Sequence, residues 1–547
     1  MNKVIERLTY KGRKKRLIAD SIFIAAELFI CVAAFCYIVK MGVLPDRYVV
    51  MLGVSLAAAV LISCLLNMFR YSHIPGKVLS VLVSALLIAV CFYGHHAMKM
   101  LENISTENYD VDTYILVVKK DSGINEAADL KGKNVGVVKS MNNAEAVNKA
   151  LEELETRGKV TFSVNEYEGM GQLVKALYND SEDAILYNAS FDSIIEEAID
   201  TYADSVRVIE SIEVRTLIED KQENADKEPS TKPTEEPGTE PPKEEETRKE
   251  NDDLSNPEYV YDPSRDPNTP GGGGYIGGDN TVDNASKGPI TDRCFNILIS
   301  GIDAYGSLAG RSRSDVNILV TVNPKTKQIV LTNTPRDYYV PIPGVTYGDW
   351  RDKLTHAGNY GVWTSVATIE NIYGVSIDYY ARINFTSFVN IVNALGSFEV
   401  YSDYEFSSGG YNFVQGYNTI TSGTQALYFA RERYAFAAGD HQRGRNQMAL
   451  IEAMINKCIS PAVLPNFLNL VNTLSDCVQT NMTMDEITSM VKMQLNDGAK
   501  WTITRQSVGG SGGTRECFSM QGWDLSVVLP DQDSINAAKE VIWSVLR

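Results

Sequence analysis

Basic charge is what this sequence is shortest of. Its 51 Lys and Arg face 69 Asp and Glu, a formal net charge of -18 over 547 residues. Nonspecific binding to a polyanion relies on basic surface, so nucleic acid is excluded as the main partner. Histidine is scarcer still: of five in the chain, only His356 and His441 lie beyond the first hundred residues. His356 reads as structural, and His95 and His96 as a solvated pair. Of the eight cysteines, Cys31, Cys36, Cys64 and Cys91 fall in apolar runs. Cys294, Cys458, Cys477 and Cys517 lack the His neighbour or electropositive helix start that marks a thiolate nucleophile. One structural disulfide among these four is the expectation, with its pairing open. The Gly-rich stretch GGGGYIGGDN lacks the Lys-Ser/Thr and helix start of a phosphate loop, so it reads as a spacer.

What the chain does have begins with apolar runs. Segments 21–39, 48–69 and 78–98 hold 19, 22 and 21 residues. Each is long enough to cross a hydrocarbon core of about 30 Å at about 1.5 Å per residue. An odd number of spans puts the chain ends on opposite sides. Lys11, Arg13, Lys14, Lys15 and Arg16 precede the first run, and Arg70 and Lys77 flank the second loop. The positive-inside rule then leaves the N-terminus in the cytoplasm and everything after Lys99 outside. The expected organisation is a basic cytoplasmic N-terminus (1–16), three transmembrane helices (17–100), an α/β unit (109–218), a linker (219–289) and a C-terminal domain (290–547).

In the middle unit, VDTYILVVKK, NVGVVKS, TFSVNEY and DAILYN read as strands separated by helical segments. Such alternation favours a parallel sheet. Its segment DLKGKNVGVVKS resembles the start of a lobe in type II periplasmic solute-binding proteins, which implies a small-ligand module or a protein-contact spacer. The following 219–253 stretch carries fourteen acidic against six basic residues among Pro, Ser and Thr, a solvated linker. A linker of this length should let the last domain sample distance from the membrane. In that domain, CFNILISGID, VNILVTVNP and QIVLTNTPRD read as strands, the last two joined by a KTK turn. TSVATIENIYG, FTSFVNIVNALG and RNQMALIEAMINKCI read as amphipathic helices. A central mixed sheet covered by helices is the expected architecture, giving a membrane-anchored α/β protein overall.

Against the acidic background, FARERYAFAAGDHQRGRNQ gathers Arg431, Arg433, Arg443 and Arg445. Arginine stays charged and its planar fork fits phosphate oxygens two at a time, so this density points to a phosphate or pyrophosphate. Arg431 and Arg433 point the same way if extended. Asp440 can cap a helix starting near His441, with Arg443 in its first turn, Gln447 four residues on along the same face, and Arg445 directed elsewhere. A helix start adds free backbone N–H groups. Asp303 and Asp315 stand at neighbouring strand ends, where two carboxylates can share a divalent cation such as Mg²⁺ with substrate phosphates. Arg313 and Arg336 stand beside them.

GIDAYG, GRSRSDVNILVTVNPKTKQIVLTNTPRDYYVPIPG, RDKLTHAGNYG, FTSFVNIVNALG and RERYAFAAGDHQRGRNQ, in this order, resemble the signature of the LytR-CpsA-Psr family over about residues 294–540. The resemblance implies transfer of a glycopolymer, such as wall teichoic acid or capsule polysaccharide, from an undecaprenyl-pyrophosphate carrier to peptidoglycan. The setting it implies is the outer membrane face of a Gram-positive cell. It also implies that Asp303 and Asp315 hold Mg²⁺, that Arg313, Arg336, Arg431, Arg433 and Arg443 clamp the pyrophosphate, and that Gln447 completes the contacts. Lys353 falls where the family has a basic residue near the phosphates. Asn393 stands where the family often has Asp, and Gly396-Ser397 replaces its paired glycines. Two other functions fit the same residues: hydrolysis of the lipid pyrophosphate, and a non-catalytic envelope regulator sensing a solute or lipid pyrophosphate.

Overall fold

The computed structural model describes residues 2–41, 46–68, 74–104, 109–138, 144–217, 288–302, 308, 310–460, 470, 473–474 and 477–547. Three helices come first: α1 (Asn2–Met41), α2 (Asp46–Met68) and α3 (Ile74–Ile104). The segments Asp20–Lys40, Asp46–Leu66 and Ile74–His95 are long and apolar enough to cross a membrane. Ile22, Phe29, Val54 and Leu82 are exposed on the outside of this bundle, while Cys31, Ala34 and Leu87 are buried at its helix contacts. Small residues there let helices approach closely. Among the polar contacts that cross the bundle, Ser63 donates to the fully buried carboxylate of Glu27 over 3.0 Å, and Lys77 pairs with Asp20 over 2.7 Å.

The middle unit is a five-stranded sheet of β1 (Tyr109–Lys119), β2 (Asn134–Val138), β3 (Ser163–Tyr167), β4 (Ala184–Asn188) and β5 (Val206–Leu217), in the order β3-β2-β4-β1-β5. Its helices are α4 (Ala144–Gly158), α5 (Met170–Tyr178), α6 (Asp192–Ala198) and α7 (Tyr202–Ser205). The parallel expectation holds only in part. β2 is parallel to β3 and β4, but β1 is antiparallel to β4 and β5. The reason is β5, absent from the sequence reading, which runs back along β1 from Lys119↔Val206 to Tyr109↔Leu217. Entry and exit of the unit are therefore adjacent. The stretch FDSIIEEAIDTYA is not one continuous helix but breaks at Ile199 (φ -137°, ψ 89°). The break lets Tyr202 bury its ring and share a 2.8 Å hydroxyl contact with Tyr187.

The C-terminal domain is built on the mixed sheet β16-β11-β6-β7-β8-β17. β6 (Phe295–Ile302), β7 (Ser314–Asn323) and β8 (Gln328–Asn333) form an antiparallel meander. β11 (Tyr379–Ile383) adds parallel to β6 and β17 (Thr502–Ser507) parallel to β8, with β16 (Gln479–Thr480) antiparallel on β11. At the β7–β8 turn the Asn323 side chain accepts from the amides of Lys325 and Thr326, an Asx turn that explains the tight reversal. Successive residues of β7 point to opposite faces. Leu319 faces α8 (Val362–Tyr373) and the C-terminal helix Gln532–Leu546, while Ile318, Val320 and Val322 face Met448 of α11 (Asp440–Cys458). β9 (Tyr339–Val340) pairs with β10 (Asp352–Lys353). A second core lies under α9 (Phe385–Leu395) and α10 (Gly423–Arg431), with β12 (Phe398–Ser402) on β15 (Gly416–Ile420) and β13 (Phe406–Ser408) on β14 (Tyr411–Phe413).

The hairpin of β18 (Gly510–Glu516) and β19 (Asp524–Pro530) changes the reading of the linker. Its Leu525 and Val527, with Cys517 and Met520, are buried in one cluster with Leu173, Val174, Ile194 and Ile195 of the middle unit. The two units share a core, so the 219–289 segment, outside the described residues up to 287, does not set the distance between them. Gly171 marks the closest approach: a Cβ there would lie 2.2 Å from the Gln521 carbonyl oxygen. The disulfide expectation is not met either, since all eight cysteines are free thiols. Cys517 is buried beneath this hairpin, where desolvation pushes its thiol up.

Candidate pyrophosphate site

The site forms where the β7–β8 hairpin opens. Register Ile318↔Asn333 leaves Asp315 three residues before its pair and Arg336 three beyond, so the two side chains meet. Arg336 Nη1 donates to Asp315 Oδ2 over 2.6 Å. Asp315 Oδ1 accepts from the Thr355 hydroxyl at 2.9 Å, and the Thr355 amide in turn donates to the Arg336 carbonyl at 2.8 Å. Asp337 bridges outward, with carboxylate oxygens 3.5 Å from Arg336 Nε and 3.5 Å from Lys353 Nζ.

Helix α11 supplies the opposite wall. Gly444 lies so close to Asn333 that a Cβ would approach its amide to 2.2 Å, which seats the first turn of α11 on the end of β8. Arg443 thereby comes beside Arg336 and pairs with Asp440. Burial pushes the Arg443 guanidinium down, and the charges of Arg336 and Arg433 push the same way against Asp440 and Asp315. Burial would also lower Arg336, but Asp315, Asp337 and Asp440 outweigh it and hold that guanidinium above its ordinary value. Arg433 donates to the hydroxyl of exposed Tyr434 over 2.6 Å and lies 4.7 Å from its ring centroid. That hydrogen bond and the Arg433 charge lower the Tyr434 phenol, with further contributions from Arg336 and Arg443. Arg336, Arg433 and Arg443 thus act on one volume.

Other expected residues sit differently. Arg431 is not extended beside Arg433; it ends α10, with its guanidinium 4.4 Å from the Phe385 ring centroid. Gln447 lies one turn beyond Arg443 and its amide donates to the Ala430 carbonyl at 3.4 Å. Arg313 precedes β7, its backbone packed against Gly358. Asp303 lies outside the described residues. Arg445 turns away to Gln442 and Asp403. Asp440 is the first residue of α11 rather than its cap, and the His441, Gln442 and Arg443 amides bond the carbonyls of Ala438 and Gly439, so the helix start offers fewer free N–H groups than expected. Asn393 accepts from the Gly423 amide at 2.7 Å, a packing role between α9 and α10. His356 is structural: buried, it contacts Asp352 at 2.6 Å, and Asp352 also accepts from the amides of Lys353 and Ser519.

Thr355, Tyr434 and Glu197 were not singled out by the sequence. Thr355 stands two residues from Lys353 in DKLTHA and could have been found there. Glu197, from α6 of the middle unit, has no local signal; its Oε1 lies 2.5 Å from Lys353 Nζ. Among the described residues no group of three or more His, Cys, Asp or Glu could hold a metal by itself. Asp315 is an acceptor-only ligand with one donor on each oxygen, leaving lone pairs for a cation.

A mixed sheet covered by helices, with paired charges of Asp315, Arg336, Asp337 and Lys353 at the open end of its central hairpin, defines an α/β domain with a charged cluster. Residues 276–535 match the LytR_cpsA_psr family, and residues 106–217 match a family described as NMT1/THI5 like. The polyisoprenyl-teichoic acid–peptidoglycan teichoic acid transferase TagU of Oceanobacillus iheyensis is 34% identical over 226 residues, covering 40% of this chain and 68% of that protein. TagU of Enterococcus faecalis is 34% identical over 212 residues, 38% of this chain and 69% of that protein. A crystal structure of B. subtilis TagV aligns at 25% identity and a TM-score of 0.40, over 47% of this chain and 98% of that one. The chain belongs to the LytR-CpsA-Psr family and is a transferase of that type.

Proposed function

We propose that this protein transfers a glycopolymer from an undecaprenyl-pyrophosphate carrier to peptidoglycan through a phosphodiester bond, at the outer face of the membrane. The observation that carries the reading is the 2.6 Å pair of Arg336 with Asp315, with Arg443 and Arg433 near enough that the charges of Arg336, Arg433 and Asp315 all bear on Arg443. The relatives named above are transferases of polyisoprenyl-linked teichoic acid to peptidoglycan. Outward orientation is supported by the basic N-terminus and by Arg47, at the start of α2, donating to the Leu495 carbonyl of the C-terminal domain.

In the reaction an acceptor hydroxyl oxygen attacks the phosphorus that bears the glycan. A new O–P bond forms, the bridging P–O bond breaks, and the lipid leaves as its monophosphate. Arg336, Arg433 and Arg443 would stabilise charge that grows on the bridging and nonbridging oxygens, Arg336 and Arg443 already oriented by their ion pairs with Asp315 and Asp440 and Arg433 by the Tyr434 hydroxyl. Asp337, 3.5 Å from Arg336 and from Lys353, would take the hydroxyl proton. Asp315, together with Asp303, would hold Mg²⁺, which neutralises pyrophosphate charge when bound.

The test is to incubate the purified chain with a polyprenyl-pyrophosphate oligosaccharide, Mg²⁺ and a peptidoglycan acceptor. Phosphodiester-linked product is expected; release of free glycan phosphate without linkage would replace transfer by hydrolysis, and no turnover would refute both.

A further inference from the structure

The ion pair between Glu197 and Lys353 crosses from the accessory unit into the wall of the pyrophosphate site. Lys353 Nζ is held by Glu197 at 2.5 Å on one side and by Asp337 at 3.5 Å on the other. Its side chain is 2% exposed, whereas that of Glu197 is 33% exposed, so the carboxylate covers the ammonium from the solvent side. Asp337 contacts Arg336, and Arg336 contacts Asp315. Charges of alternating sign therefore run Glu197, Lys353, Asp337, Arg336, Asp315 from one unit to the other.

The contact is not a loose encounter of two modules. Beyond the shared core, Tyr347 donates to Glu168 at 2.8 Å, Gln172 to Gln521 at 2.5 Å, and Asn359 to the Ser190 carbonyl at 3.3 Å. Phe191, just before α6, packs edge-on against Tyr360 with centroids 5.6 Å apart. Helix α6 is thereby fixed on the segment that carries Lys353.

We infer that Glu197 is a positioning residue through which the accessory unit weakens the site's hold on pyrophosphate. The inference rests on the pyrophosphate reading above and adds a regulatory role for the unit. Glu197 occupies a donor of Lys353 that a phosphate oxygen would otherwise take, and it adds a negative charge beside the arginine wall. Coulomb's law sets the sign: removing this charge strengthens anion binding, and the effect is large where solvent is excluded.

The experiment measures binding of geranylgeranyl pyrophosphate to the detergent-solubilised full chain by calorimetry. Glu197→Gln is expected to bind about tenfold tighter than wild type, and Glu197→Asp to return towards wild type. Damage to the site itself lowers affinity, and loosening of the interface is tested separately. Tyr347→Phe loosens the same interface without touching Lys353 and should leave affinity unchanged; an equal gain there overturns the role of Glu197. Unchanged or weaker binding by Glu197→Gln, while Arg336→Ala loses affinity, overturns this inference alone. No binding by wild type, or no loss in Arg336→Ala, overturns the pyrophosphate reading and this inference with it.

Discussion

Arg336 and Asp315 close the open end of the β7–β8 hairpin with a 2.6 Å ion pair, both side chains largely buried. The pair orients the guanidinium before any ligand is present. It also means that neither residue can be changed without leaving the other exposed to a poorly compensated charge.

Arg336→Ala is expected to lower glycopolymer transfer by at least about 100-fold, the usual cost of losing one preorganised donor to developing charge. The stability cost should be about 1–3 kcal/mol, from the partner left unsatisfied. Transfer assays and urea unfolding check the two separately. Full retained activity would remove Arg336 from the site.

Asp315→Asn keeps the shape of the side chain and its contact with Thr355 but removes the charge. If Asp315 helps to hold Mg²⁺, the variant should need a higher Mg²⁺ concentration for half-maximal activity, and chelation by EDTA should silence wild type. An unchanged Mg²⁺ titration in the variant would assign the ion elsewhere.

Acid should reveal Asp352. Burial alone would raise its carboxyl, but His356 and the Ser519 contacts outweigh burial and hold it below the ordinary carboxylate value. A depressed carboxyl contributes stability that is present above its unfolded pKa, about 4, and is lost as pH falls through the lower folded value. Asp352→Asn should therefore be less stable than wild type at pH 7, with a gap that shrinks below about pH 4. Denaturant unfolding at several pH values measures this; a gap independent of pH contradicts it.

Gly171→Ala puts a methyl group against the Gln521 backbone, at 2.2 Å from its carbonyl oxygen. Backbone cannot give way as a flexible side chain would, so the cost should be about 1–3 kcal/mol. Faster hydrogen exchange in β18 and β19 is the expected sign of a loosened interface. Wild-type exchange there would show that the two units do not depend on this approach.

Much of the fold was legible because its signals are local. The β6–β7–β8 meander reads directly from three apolar runs, with Asn323 and the KTK turn between the last two. The direction of β1 was not legible, since it depends on β5 returning from the far end of the unit to pair along its length. Arg431 was misplaced for a related reason. Ala426, Phe429 and Ala430 carry a helical apolar stripe that the core buries, and this carries Arg431 into α10 and away from Arg433.

The sequence by itself determined three apolar spans, two α/β units and a concentration of arginine in an acidic chain, because apolar periodicity and charge density are properties of neighbouring residues. Tertiary structure decided which of those cations meet. The seating of Gly444 on Asn333 brings Arg443 to Arg336, and the shared core brings Glu197 to Lys353 across 156 positions. Electrostatic interaction depends on distance through space and on the exclusion of water, and packing between distant segments sets both.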